Sequence, residues 1–286
     1  MPDPEKLLRT LDRAVDAVRQ TPGRRGRFVQ LQDASEILVA GDLHGHLGNF
    51  QAVYKAADLA KNPRRHLVLQ ELVHGKFAYP GGGDKSHQLL DLFAALKLQF
   101  PGQVHMLLGN HELAQWTNRL VMKNDKDLNT VFQEGVVEAY GAEKGTDIYH
   151  AYLQMFGILP LALRTANRIF ISHSLPREKS LDKFELRHLE ADEFPPEDLA
   201  VGGTAYELLW GRDTRTTTCS AFLKKVECDW LVSGHIACEA GFAVPNSQQL
   251  IVDCCASPAA YALLPADRPI TGAEFREGVR MITALG

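Results

Sequence analysis

"ILVAGDLHGHLGNF", residues 37–50, passes from a buried-type apolar run into Asp42 and His44, flanked by glycines, and then into a helical pattern. An apolar run of this length bounded by glycine reads as a core strand, and the polar pair sits at its carboxyl end. The same form recurs along the chain. "HLVLQEL" (66–72) carries Glu71, "VHMLLGN" (104–110) leads into Asn110 and His111, "NRIFISH" (167–173) ends in His173, and "DWLVSGH" (229–235) ends in His235. "QQLIVD" (248–253) is a further strand pattern. Helical patterns at 49–60 and 86–100 lie between the first three strands. Strands alternating with helices predict a layered α/β fold, in which carboxyl ends of separate strands can converge on one crevice.

The composition sets outer bounds on this reading. The chain has 286 residues, 45% of them hydrophobic, with a formal net charge of −4. That supplies a substantial core and gives no global electrostatic argument for nucleic acid or an anionic membrane as partner. No apolar run approaches the roughly eighteen residues of a membrane span, and the first residues lack a signal-type apolar stretch, so a cytoplasmic protein is expected. The five cysteines, without CxxC spacing, suggest reduced residues, mostly in the core, rather than disulfides or a thiolate zinc site.

Leu7, Leu8, Leu11, Val15 and Val18 recur at helical spacing, predicting a peripheral helix closed by a basic turn with Arg24, Arg25 and Arg27 exposed to solvent. Residues 1–30 are therefore read as an N-terminal helix and turn, and 31–286 as one domain. "LEADEFPPEDLAVGG" (189–203) reads as a surface loop or cap, and "EFREGVRMITAL" (274–285) as a last helix.

Five strand endings in metal-binding residue types are harder to explain by chance than any one of them. His66, His87, His105, His150 and His188 read individually as ordinary core or surface residues. The carboxylates of Asp42 and Glu71, the Asn110 amide and the imidazoles of His44, His173 and His235 make a mixed oxygen and nitrogen set without sulfur. It suits manganese, iron or zinc better than calcium. Two such ions bridged by one carboxylate could hold a hydroxide for in-line attack on phosphorus.

"GDLHG", "GNHE", "SHSLP" and "SGH" stand in the order and at roughly the distances found in the calcineurin-like metallophosphoesterase superfamily, and most resemble its phosphoprotein phosphatase branch in bacterial form. "ELLWGRD" resembles that branch's Leu-Leu-Trp segment, and "LIVDCCASPAAYALL" its closing strands. The resemblance, from about Ile37 to Leu264, implies a central β-sandwich flanked by helices in four layers, with the metal site at the strand carboxyl ends. It implies that Asp42 and His44 hold one divalent ion, that Asn110, His173 and His235 hold a second, manganese being expected, and that Glu71 stands in for the bridging aspartate. It also implies that His111 is the acid that protonates the leaving oxygen.

The second family motif, Gly-Asp-x-Val-Asp-Arg-Gly, is altered to "QELVHG". The resemblance gives its second aspartate the task of orienting the acid and its arginine that of gripping phosphate. If "AYPGGGDKSHQLLDLF" contains an insertion, Asp84 and Lys85 could fill those two places; the alternative is a plain loop with an aspartate cap. His74 is a third candidate for either role. Arg212 could also face the phosphate, with Arg215 and Arg177 as weaker options, and His46 could line the pocket. The expected activity is phosphoester hydrolysis, first as a serine/threonine-type protein phosphatase. The alternatives are a dinucleoside polyphosphate or other small-molecule phosphatase, and a degenerate module that binds metal or phosphate without turnover.

Overall fold

The computed structural model of the chain describes residues 2–123 and 125–283. From the N-terminus, α1 (Pro4–Arg19) leads through β1 (Arg24–Arg25) and β2 (Phe28–Leu31) to β3 (Glu36–Asp42). Two strand–helix–strand units follow, through α2 (Leu47–Ala57) to β4 (Arg65–Gln70) and through α3 (His87–Gln99) to β5 (Val104–Leu107). Then come α4 (Asn110–Trp116), a small hairpin of β6 (Met122–Lys123) and β7 (Lys126–Asp127), and helices α5 (Leu128–Tyr140) and α6 (Ala142–Phe156). Strands β8 (Ala162–Thr165) and β9 (Ile169–Ser172) are followed by 3-10 turns at Glu178–Lys183 and Leu186–Glu190, then α7 (Thr204–Trp210) and α8 (Thr216–Lys225). β10 (Trp230–Ser233), β11 (Phe242–Asn246), β12 (Gln249–Val252), β13 (Ala260–Pro265), α9 (Gly272–Glu277) and β14 (Val279–Met281) complete the order.

The strands form a seven-stranded sheet, β1-β2-β8-β9-β10-β12-β11, and a five-stranded sheet, β14-β13-β3-β4-β5. β3, β4 and β5 are mutually parallel, as are β9, β10 and β12. Side chains alternate across each strand. Ile37, Val39, Val68 and Leu107 of one sheet pack with Val29, Leu163, Ile171, Val232 and Leu250 of the other. The opposite faces, carrying Leu38, Leu67, Leu69, Met106, Phe170 and Leu231, are covered by helices. The result is the expected sandwich with flanking helices. Its sheets meet at one end, where Asp42 bridges Asp253 and accepts from the Cys254 amide at 3.0 Å.

Helix α1 is not peripheral. Asp3 caps it by accepting from the Lys6 amide at 2.9 Å, and its apolar stripe of Leu7, Leu11, Ala14, Val15 and Val18 is buried against α3 and α6. A cap of this kind contributes on the order of 1 kcal/mol. The basic turn is likewise built in at Arg24 and Arg27, while Arg25 is exposed as expected. Arg27 is 3% exposed, donates to the Leu159 carbonyl and lies over the rings of Trp116 and Phe194. Its charge is neutralised by backbone oxygens rather than by solvent, and it fastens the N-terminal turn to the mostly exposed 189–203 loop through the carbonyl of Asp192. The C-terminal stretch is a helix only to Glu277. Gly278 ends α9, and Val279–Met281 pair with β13 instead of continuing as helix. Ala284 and Leu285 lie outside the described residues.

Candidate active site

Strand ends of both sheets deliver the polar groups. β3 ends at Asp42, whose Oδ1 accepts from the His235 amide at 3.0 Å, and His44 follows in the turn to α2. The His44 Nδ1 donates to the Val73 carbonyl at 2.7 Å, which turns Nε2 toward Asp42 Oδ2, 3.9 Å away. β4 delivers Glu71, fully buried, whose own carbonyl accepts from the Leu43 and His44 amides and so clamps the two turns together. β5 runs into α4, whose first residue is Asn110. β9 and β10 deliver His173 and His235.

Glu71 lies at the centre. Its Oε1 accepts from the His111 amide at 2.6 Å, and its Oε2 lies 2.7 Å from His173 Nε2, which is also 2.9 Å from Asn110 Oδ1. Donor atoms of Asp42, Glu71, His173 and His235 all lie within 4.8 Å of one another, as do those of His44, Glu71 and His111. Glu71 belongs to both groups. His44, Glu71, His74, Arg212 and His235 all have left-handed backbones, with φ between 41° and 66°. Non-glycine residues seldom adopt this conformation, and its concentration at one place is typical of functional sites.

Two glycines keep the space open. A Cβ on Gly234 would stand 2.5 Å from Asp42 Oδ1, and one on Gly109 would stand 2.8 Å from Glu71 Oε1. The donor set fits divalent metal. The buried Nε2 of His235 has no hydrogen-bond partner among the described residues, a costly state that a cation shared with Glu71 relieves. Burial pushes the His235 ring down to about 2, so it presents a neutral lone pair. Burial alone would also lower His173, but the carboxylates of Glu71 and Asp42 prevail and push it up to about 9.

A cavity of about 470 Å³ opens above these groups, lined by His44, His74, Asn110, His111, Trp210 and Arg212, with Lys76, Cys255 and the β6–β7 hairpin on its rim. Lys76 is a cation that the sequence reading passed over, although it follows His74 by two residues in the altered motif. Glu112 was also unassigned. Its buried carboxylate accepts from the Leu72, Val73 and Gly109 amides and holds the turn after β4 against α4. Burial, with Glu71 nearby, pushes it up to about 8.

The proposed insertion does not rebuild the lost motif. Asp84 accepts from the Gly75 amide and from the amide and hydroxyl of Ser86, and the loop closes on itself through an Ala78–Asp84 bridge. Gly83 and Gly135 let this loop lie directly on α5. Lys85 stands over the Tyr79 ring in a neighbouring groove that also contains His46. Asp84 is thus a turn cap, and neither residue lines the main cavity. Counting from Glu71 without an insertion instead puts His74 where the second aspartate would stand, and its Nδ1 lies 2.6 Å from Nδ1 of His111. Arg177 is paired with Glu207, and Arg215 with Asp213 and Glu178, so both are committed elsewhere. All five cysteines are free; Cys219, Cys228 and Cys254 are buried, while Cys238 and Cys255 are partly exposed.

The calcineurin-like phosphoesterase family matches residues 35–239, most of the chain and all of the strand ends just described. The chain belongs to the calcineurin-like phosphoesterase family. This phosphoesterase is 24% identical over 241 residues to serine/threonine-protein phosphatase 5 of Rattus norvegicus, covering 77% of this chain and 43% of that one. The same shares hold for the Homo sapiens protein, so the chain spans less than half the length of these curated relatives. Among solved structures, the phosphoesterase resembles a protein serine/threonine phosphatase from Saccharomyces cerevisiae with similarity to human phosphatase PP5. The TM-score is 0.72 at 17% identity, over 100% of this chain and 91% of that one. A cold-active protein-tyrosine phosphatase of a Shewanella species gives 0.58 at 14%, over 93% and 84%. At such identities these likenesses speak for the fold alone. No helix among the described residues is long and apolar enough to cross a membrane.

Proposed function

We propose that this phosphoesterase is a cytoplasmic phosphomonoesterase of the serine/threonine protein phosphatase type, working with two divalent ions bridged by Glu71. The observation that carries the reading is the membership of the buried Glu71 carboxylate in both groups of closely spaced donors. Asp42 and His44 would hold one ion, and the Asn110 amide with His173 and His235 would hold the other, Glu71 serving both. Manganese suits this oxygen and imidazole set. Bound ions would supply an activated water and neutralise charge on the phosphoryl oxygens.

The remaining work falls to the chain itself. Arg212 and Lys76 line the cavity and would steer and hold the phosphate, Arg212 with a planar fork and Lys76 as a point charge. His111 lies across from His44, their ring centroids 5.2 Å apart, and in its doubly protonated form would give the Nε2 proton to the departing alkoxide. Trp210 forms part of the cavity wall.

The test is hydrolysis of p-nitrophenyl phosphate with and without manganese by the wild type, Asp42→Asn and His111→Ala, each checked for folding. Manganese-dependent turnover lost in Asp42→Asn is expected; folded wild type inactive with every divalent metal would contradict the reading. Phosphoserine peptides set against diadenosine tetraphosphate then decide the substrate class, and faster turnover of the peptides is expected.

A further inference from the structure

The groups behind His111 fix where its proton sits. Gln115 Nε2 donates to the Asn129 carbonyl at 3.2 Å and to the Tyr149 hydroxyl at 2.8 Å. A backbone carbonyl can only accept, so the orientation of the Gln115 amide is set. Its Oε1 therefore accepts from His74 Nε2, 2.8 Å away, and that nitrogen carries a hydrogen. His74 is 6% exposed and packs on the Phe132 ring, and neither hydrogen-bond partner of its ring is a carboxylate. Such surroundings keep the ring neutral, which makes its Nδ1 an acceptor. The atom facing it at 2.6 Å is His111 Nδ1, which must donate.

We infer that His74 is the positioning residue for His111, and that the chain Asn129–Gln115–His74–His111 locks His111 into the Nδ1-protonated tautomer, leaving Nε2 alone to exchange a proton with the cleft. The inference rests on the proposed role of His111 as acid and adds how that acid is aimed. A neutral imidazole here does by hydrogen-bond direction what a carboxylate could do by direction and charge together. The same bonds persist whether or not Nε2 is protonated, so the ring need not turn during a catalytic cycle.

Nitrogen-15 spectra of the metal-free protein labelled at histidine read the tautomer without reference to activity. Signals are assigned by their loss in His111→Ala and His74→Phe. The wild type is expected to show His111 protonated at Nδ1 near neutral pH, and His74→Phe to shift it toward the Nε2-protonated form. A second variant, Gln115→Leu, frees His74 and should produce the same shift if His74→Phe folds poorly. A wild-type His111 carrying its proton on Nε2, or one unmoved by either variant, overturns the inference. In kinetics with phenyl phosphate, His74→Phe should lower kcat roughly 10- to 100-fold with little change in KM. The double variant His74→Phe/His111→Ala should then be no slower than His111→Ala; additive losses overturn the inference. An inactive protein with the expected tautomer would count against the proposed function and leave this inference standing.

Discussion

Glu71 Oε2 lies 2.7 Å from His173 Nε2, in the fully buried centre of the cleft. The pair joins the end of a strand in one sheet to the end of a strand in the other, so the same contact that assembles the donors also ties the sandwich together at its open end. A glutamate is one methylene longer than aspartate, and β4 ends one residue before it, at Gln70, with Glu71 in a left-handed turn.

The cations of the cavity should separate by position. Arg212→Ala and Lys76→Ala are each expected to weaken competitive inhibition by inorganic phosphate, roughly tenfold, or ~1.4 kcal/mol. Lys85→Ala, which alters the neighbouring groove, should leave the inhibition constant unchanged. A larger effect from Lys85 than from Lys76 would move the phosphate site.

Asp84 should behave as a structural cap. Asp84→Ala removes the acceptor for the Gly75 and Ser86 amides and is expected to lower stability by roughly 1–2 kcal/mol in urea unfolding. KM for p-nitrophenyl phosphate should stay within about twofold, well inside the shift of ~1.4 kcal/mol that a tenfold change represents.

Gly234→Ala puts a methyl group 2.5 Å from Asp42 Oδ1, so the carboxylate must shift. The expected result is a folded protein with sharply reduced manganese affinity by calorimetry. Unchanged affinity would mean that Asp42 is not a ligand.

Acid should destabilise the sandwich through a histidine pair remote from the cleft. His66 Nδ1 and His105 Nε2 are 2.9 Å apart with stacked rings. Burial, helped by Lys97, pushes His66 down to about 4, and burial holds His105 well below its usual range. Between pH 6.5 and 4 the unfolded chain therefore takes up protons that the folded chain refuses, so stability is full above 6.5 and falls as pH falls through that window. Each group contributes up to about 1.4 kcal/mol per pH unit. Urea unfolding at pH 4.5–7 should show a shallower loss for His66→Asn than for the wild type.

The sequence was legible where chemistry and secondary structure coincide. Asp42, Asn110, His173 and His235 each stand at the end of an apolar run, and the fold brings those ends together because parallel strands present their carboxyl ends to one edge. It was less legible where the answer lies in a loop's closure. Nothing in "GGGDKS" says that Asp84 turns back to Gly75 and Ser86, since that depends on Gly83 meeting Gly135 of a helix some fifty residues on. Arg27 looked solvated because its acceptors are backbone carbonyls from the distant Gly157–Leu159 turn, which no local pattern announces. Lys76 stood in plain view but outside the motif's expected arginine position.

The central claim is that Glu71 serves two ions at once. The direct measurement is manganese stoichiometry, by calorimetry and by elemental analysis of the desalted protein, for the wild type and Glu71→Gln. Gln keeps the size of the side chain and removes the charge. About two ions per chain are expected in the wild type and one or fewer in Glu71→Gln, with turnover of p-nitrophenyl phosphate lost in parallel. Two tightly held ions and undiminished turnover in Glu71→Gln would contradict it.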